Sequence, residues 1–213
     1  MQAVKILPKA ITPIYSTGFN SGLIIDLGVL HSSIIPINEG LPYFDLKEDI
    51  NLNYTDLEKE FKLMIIEDNI TNPLNPKIPK IKNVDIFCES LNPGLDDLMT
   101  RSMFCVNKKI TELMKNPVEL NKIKNELSKV DHNYGSFYSN MLRRVQIGTK
   151  FFGDVNDEDE VNLAYSLLKC IKNLPCEDRK KLAGNIILNG GLTMTVGFYK
   201  RLVSLNYNIL KYI

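Results

Sequence analysis

The sequence predicts an α/β fold, and three stretches carry that reading: two β-branched runs near the N-terminus, an amphipathic helix after them, and an apolar run that ends in a glycine pair near the C-terminus. SGLIIDLG (Ser21 to Gly28) and SSIIPINEG (Ser32 to Gly40) are separated by a few residues, the pattern of two strands joined by a tight hairpin. Pro36 has no N–H to donate, which predicts an edge or terminal position for the second strand. In TDLEKEFKLMIIED, Thr55 and Glu58 form a T-x-x-E capping box, and Leu57, Phe61, Met64 and Ile65 share one helical face. GNIILNGGLTMTVGF (Gly184 to Phe198) runs from a helix stop through a short strand into Gly190 and Gly191, and then into a new helix. Such a glycine pair reads either as a tight turn or as a junction whose bare N–H groups face an anion, and the local residues leave both open.

Between these landmarks the signals are weaker. TNPLNPKIPKIKNV (Thr71 to Val84) predicts a solvated loop, and Pro93 and Gly94 open a helix through about Phe104. Residues 108–140 are rich in Lys, Asn and Glu, and Leu120, Ile123 and Leu127 form their best stripe, which predicts a surface helix plus loop. RRVQIGTKFF (Arg143 to Phe152) reads as a small hairpin around Gly148. Asp157, Glu158, Asp159 and Glu160 form the acidic start of a helix whose buried stripe is Val161, Ala164, Leu168 and Ile171 and whose basic end is Lys169 and Lys172. A short helix from Glu177 to Leu182 leads into the glycine-pair stretch.

Composition narrows the function classes. The chain has 213 residues, 44% hydrophobic and 24% charged, enough for one large domain or two small lobes. Its 26 basic and 25 acidic residues leave a net charge of +1, too little to form an electrostatic footprint on nucleic acid or an anionic membrane. Cys88, Cys105, Cys170 and Cys176 lack C-x-x-C spacing and predict buried, reduced thiols. Lys5, Pro8, Lys9 and Pro13 interrupt every early apolar run, so neither a signal peptide nor membrane insertion fits, and a cytoplasmic protein is expected. His31 and His132 lie far apart without a nucleophile constellation, which predicts surface or turn roles.

LIIDLGVLHSSIIPINEG (Leu23 to Gly40) and NIILNGGLTMTVGFYKR (Asn185 to Arg201) together resemble two nucleotide-cleft motifs of the actin family, the second phosphate-binding hairpin and the adenosine-binding glycine pair. TGFNSGLIIDLG, the INEGLP turn, the TDLEKEFK helix and LPCEDRKKLAGNIILNGG carry the likeness closest to the divergent branch of that family found at the pointed end of dynactin. The resemblance implies an actin-like ATPase fold with a ribonuclease H-like sheet, covered only in part and corresponding to actin's third and fourth subdomains. Residues 19–52 and 140–213 would form a sheet-containing lobe, and 53–139 a helical lobe with a variable insertion. It implies Asp26, Gly28, Gly190, Gly191 and Met194 as the nucleotide-binding positions, with no catalytic and no metal-binding residue.

Departures from the family pattern point away from chemistry. Val29 and Leu30 replace an acidic residue and the second glycine of the phosphate hairpin, and Ser33 stands where actin has a histidine implicated in hydrolysis. Thr100 and Arg101 replace the pair that flanks adenine, and Val196 replaces a proline. The expectation is therefore a non-enzymatic cytoskeletal subunit without a cofactor, its partners being dynactin subunits and other actin-related proteins. The alternative is an ATP-binding relative with slow hydrolysis, in which Asp26 would orient a magnesium-bound water; ATP and Mg would then belong to a complete chain. A sugar kinase or chaperone ATPase of the same broad fold is the remote third reading.

Overall fold

Leu23, Ile24 and Ile25 are consecutive and have no solvent exposure, so the strand that carries them needs cover on both faces, since alternate side chains point to opposite sides. The computed structural model describes residues 7–71, 89, 99, 102–116, 118–122, 132–134, 137–139, 141–150, 152 and 162–210. The strands are β1 (Gly22–Leu27), β2 (Ser32–Asn38), β3 (Leu41–Pro42), β4 (Glu48–Ile50), β5 (His132–Tyr134), β6 (Phe137–Ser139) and β7 (Ile186–Asn189). The helices are α1 (Pro13–Thr17), α2 (Tyr54–Thr71), α3 (Lys108–Lys115), α4 (Met141–Thr149), α5 (Leu163–Asn173), α6 (Cys176–Ala183) and α7 (Phe198–Leu210). Contacts divide the chain into two compact units: Met1–Tyr54, Phe151–Thr193 and Leu202–Ile213 form the first, and Thr55–Lys150 with Met194–Arg201 the second.

The first unit is built on a mixed sheet of order β3-β2-β1-β7, with β4 also paired to β2. β1 and β2 form the predicted antiparallel hairpin, and β7 adds parallel to β1, so the architecture is α/β as expected. On one face Ile24, Ile35, Ile37 and Ile187 pack with Ile11 and Ile14 of the N-terminal turn and α1. α5 and α6 contact β4, β2 and β1. Asn162, not the acidic run before it, caps α5 by accepting from the Tyr165 N–H at 2.9 Å; Asp157 to Val161 lie outside the described residues. Within α5, Ala164 and Ile171 are buried, while Leu168 is half-buried and Leu167 and Cys170 take the core instead. A polar junction fixes α6 to β2. Asp178 accepts from Asn38 Nδ2 at 3.1 Å and Tyr43 OH at 3.4 Å, and Asn38 Oδ1 accepts from Lys181 Nζ at 2.8 Å.

Pro36 departs from its expected place, because β2 has strands on both sides. β4 pairs with Ser32 to Ile34 and β3 with Ile37 and Asn38, and Pro36 falls in the interval between them. Its carbonyl accepts from the Tyr43 N–H at 2.9 Å on that side, so the missing donor costs no ladder bond.

In the second unit α2 begins at Tyr54, one residue before the predicted cap, and buries Leu57, Phe61, Met64 and Ile65 as its spacing requires. Asn107 caps α3 by accepting from the Ile110 N–H at 2.9 Å. The strand pair β5–β6 was not foreseen in the helix-plus-loop reading of 108–140. The predicted loop after Thr71 and most of the helix predicted from Pro93 lie outside the described residues.

The predicted hairpin around Gly148 is instead helix α4, with Arg144, Val145 and Ile147 buried. Gly148 serves close approach, not a turn: a Cβ there would collide with the Phe104 carbonyl oxygen. Gly197, at φ +84°, likewise abuts the Cys105 carbonyl, so the Phe104–Cys105 segment is held between two glycines. The Cys105 Sγ donates to the Gly148 carbonyl at 2.7 Å, and the Cys105 N–H to the Val196 carbonyl at 2.8 Å. Gly148→Ala is expected to destabilise the protein by about 1–3 kcal/mol, because helix backbone and not a flexible side chain must yield. Urea denaturation followed by circular dichroism checks this.

Cys105 and Cys170 are buried, whereas Cys176 is exposed at the start of α6, which corrects the expectation of uniformly buried thiols. Cys88 lies outside the described residues. Burial pushes the Cys105 thiol up to about 12, with Arg201 opposing, and pushes Cys170 up to about 12, with Glu48 adding to it. Native iodoacetamide labelling at about pH 8 should modify Cys176 and spare Cys105 and Cys170. Both buried thiols hold their protons above the ordinary value of 9.0, so the folded state binds more protons than the unfolded one above about pH 9. Stability should fall from there up to about pH 12, as read by denaturant midpoints across that range.

Candidate functional site

The sheet of the first unit brings four of the five predicted site residues together. In β1 and β7, Asp26 pairs directly with Asn189, and on the other side of β1 it pairs with Ser33 of β2. Partners in register share a face, so Ser33, Asp26 and Asn189 form one polar row across three strands. The row continues the apolar line of Ile35, Ile24 and Ile187 toward the carboxyl ends of β1 and β7, where ligands gather in open α/β sheets.

Asp26 is engaged within the protein. Asn189 Nδ2 donates to its Oδ1 at 2.6 Å, a charge-assisted hydrogen bond between side chains 163 positions apart. Gly28 closes the β1–β2 hairpin, its N–H donating to the His31 carbonyl at 3.1 Å, and a Cβ there would collide with that oxygen. Val29 and Leu30 form the tip, 62% and 67% exposed, so the hairpin presents apolar side chains to solvent where a phosphate-binding turn would present bare backbone.

Gly190 follows β7 at φ +99°, and a Cβ would collide with the Leu27 carbonyl oxygen. That close approach seats the β7 exit beside the end of β1 and puts Gly28 and Gly190 at the same edge of the sheet. Gly191 does not open an α-helix, as the sequence suggested. It starts a 3-10 turn, Gly191–Met194, and α7 begins only at Phe198. The Gly190 carbonyl accepts from both the Thr193 N–H at 3.2 Å and the Thr193 Oγ1 at 2.7 Å, which holds the turn. Met194 ends it with 74% of its surface exposed. The two glycines thus differ: Gly190 is demanded by backbone conformation and contact, and nothing crowds Gly191.

Asn189 and Ser33 complete the polar row. Ser33 was singled out in the sequence only as a missing histidine, and Asn189 carries no motif signal until β1 and β7 are known to pair in register. Thr100 and Arg101 lie outside the described residues. A groove lined by Glu60, Leu63, Met64, Gln146 and Ile147 lies in the second unit and includes none of the predicted positions. Among the described residues no group of three or more His, Cys, Asp and Glu could hold a metal ion, and no helix is long and apolar enough to cross a membrane.

The chain is 29% identical over 207 residues to actin-related protein 10 of Dictyostelium discoideum, a match that covers 86% of this chain and 42% of that protein. No family model matches. The similarity supports an actin-family relationship, and with the mixed α/β sheet it supports an actin-like fold covered in part. Gly190→Ala should destabilise the chain by about 1–3 kcal/mol, and Gly191→Ala should stay within about 0.5 kcal/mol of the parent, the pair being compared by thermal and urea denaturation.

Proposed function

We propose that this chain, an actin-family relative similar to actin-related protein 10, is a non-catalytic structural subunit, and that its assembly is dynactin, at the pointed end of the actin-like filament in dynein-driven transport along microtubules. In this reading it works in the cytoplasm, at the cytoskeleton, through surfaces that meet dynactin subunits and other actin-related proteins. The observation that carries the proposal is the Asp26–Asn189 hydrogen bond beneath an apolar hairpin tip. An acid that would orient a hydrated cation is instead bonded to an amide, and Val29 and Leu30 stand where phosphate would need N–H groups. The residues present therefore fit a magnesium nucleotide poorly, and no hydrolytic step is derived through one. Because the chain spans 42% of the relative's length, these assignments concern the role of a protein that contains this region.

Two experiments test the reading. Titration of the chain with magnesium-ATP in a calorimeter should give no saturation in the micromolar range, since a few hydrogen bonds of about 0.5–1.5 kcal/mol each barely offset an association cost of about 4 kcal/mol or more. Micromolar affinity abolished by Gly191→Phe would instead support the ATP-binding alternative. Tagged protein should co-purify with dynactin pointed-end subunits, and purification of the intact assembly without it would remove the specific assignment.

A further inference from the structure

The two edges of the sheet in the first unit are built differently. On the β2 side, β3 has only two residues and contains Pro42, while β4 presents Glu48 and Asp49, which pair with Lys169 and Lys47 at 2.7 Å each. Short length, proline and charge are the ordinary protections of an exposed edge. β7, at the other edge, has none of them. Its Ile-Ile-Leu-Asn sequence is uncharged, with Ile187 buried and Ile186, Leu188 and Asn189 half-buried. Strands of this apolar kind in parallel pairing belong to sheet interiors.

The hydrogen-bond phase of β7 shows what its free side offers. The Leu23 N–H donates to the Asn185 carbonyl at 2.9 Å, so the peptide groups of residues 185, 187 and 189 face β1. Successive residues alternate, so the N–H and C=O of Ile186 and Leu188 point the other way, and no backbone group among the described residues meets them. Half-buried apolar side chains flanking unmet donors and acceptors are the recognition chemistry of strand addition, in which main-chain bonds give affinity and alternate side chains give specificity.

We propose that the outer edge of β7 is a docking site for an extended, uncharged, β-branched strand supplied by a partner polypeptide, which pairs with Ile186 and Leu188 and makes β7 an interior strand. The asymmetry of the two edges argues for this occupant, because the β2 side is guarded against strand addition and the β7 side is not. The inference rests on the sheet alone and does not depend on the nucleotide or dynactin readings.

Site-resolved amide hydrogen exchange on the 213-residue chain tests it. Without a partner the Ile186 and Leu188 amides should exchange much faster than the Ile187 amide, which faces β1. An acetylated, amidated hexapeptide of alternating valine and threonine should slow Ile186 and Leu188 by about tenfold, saturably, and leave Ile187 unchanged. Leu188→Pro removes an outward N–H and should abolish the slowing. Should that variant fail to fold, Ile186→Lys keeps every backbone group but places a charge on the edge, and should also abolish it. No saturable slowing up to about 1 mM peptide overturns the proposal. So does slow exchange of both outward amides in the monomer without peptide, which would mean that the edge is already covered. Concentration-dependent slowing with a dimer mass would overturn it in favour of a second copy of the chain.

Discussion

The first unit depends on one constraint: β1 must be buried on both faces and paired along both edges. Leu23, Ile24 and Ile25 leave no polar face for solvent, so flanking strands and covering helices are obligatory. β2 meets one edge through a hairpin that closes at Gly28, and β7 meets the other in parallel. Gly190 enforces the second pairing, because only a residue without a side chain can leave β7 against the Leu27 carbonyl. The Asn38–Asp178–Tyr43 junction then ties α6 to the far side of the same hairpin.

This constraint also decides what the polar row can do. Ser33, Asp26 and Asn189 sit at the end of strands whose positions are fixed by the core beneath them, so their spacing cannot adjust freely to a ligand. A carboxylate in such a row must find a partner, and the Asn189 amide is in register to be one. The scaffold of a nucleotide-type sheet end is thereby kept while its acid is turned inward to hold two strands together. Preserved architecture with redirected side chains suits a protein whose output is surface.

The elements that were legible in the sequence are those whose pattern is local. The hairpin follows from two β-branched runs, α2 from a face of Leu57, Phe61, Met64 and Ile65, and β7 from a short apolar run before glycine. Gly148 misled because glycine signals equally a turn and a close approach, and only the position of Phe104 distinguishes them. Pro36 misled for a related reason: its tolerance inside the sheet depends on where β3 and β4 happen to stop. Cys176 is exposed because it occupies a helix start, a place that its own residue type does not disclose. At the site, Asp26 and the glycines stood out through motif, whereas Asn189 gained its role only from a register that spans the chain.

That span has a kinetic consequence. β1 and β2 are joined by a tight turn, but Asp26 and Asn189, which meet across β1 and β7, are separated by 163 positions. Closing a loop of that size costs about 4–5 kcal/mol of chain entropy before any contact repays it, whereas a hairpin closes in microseconds. The natural order of assembly is therefore the β1–β2 hairpin first and β7 last, with one edge of β1 bare in the interval. During synthesis the same order is imposed by the ribosome, which releases the hairpin long before β7 exists. The nascent chain thus carries an unpaired, wholly apolar strand through most of its elongation, a period in which a chaperone able to cover extended apolar segments would have its greatest effect on yield.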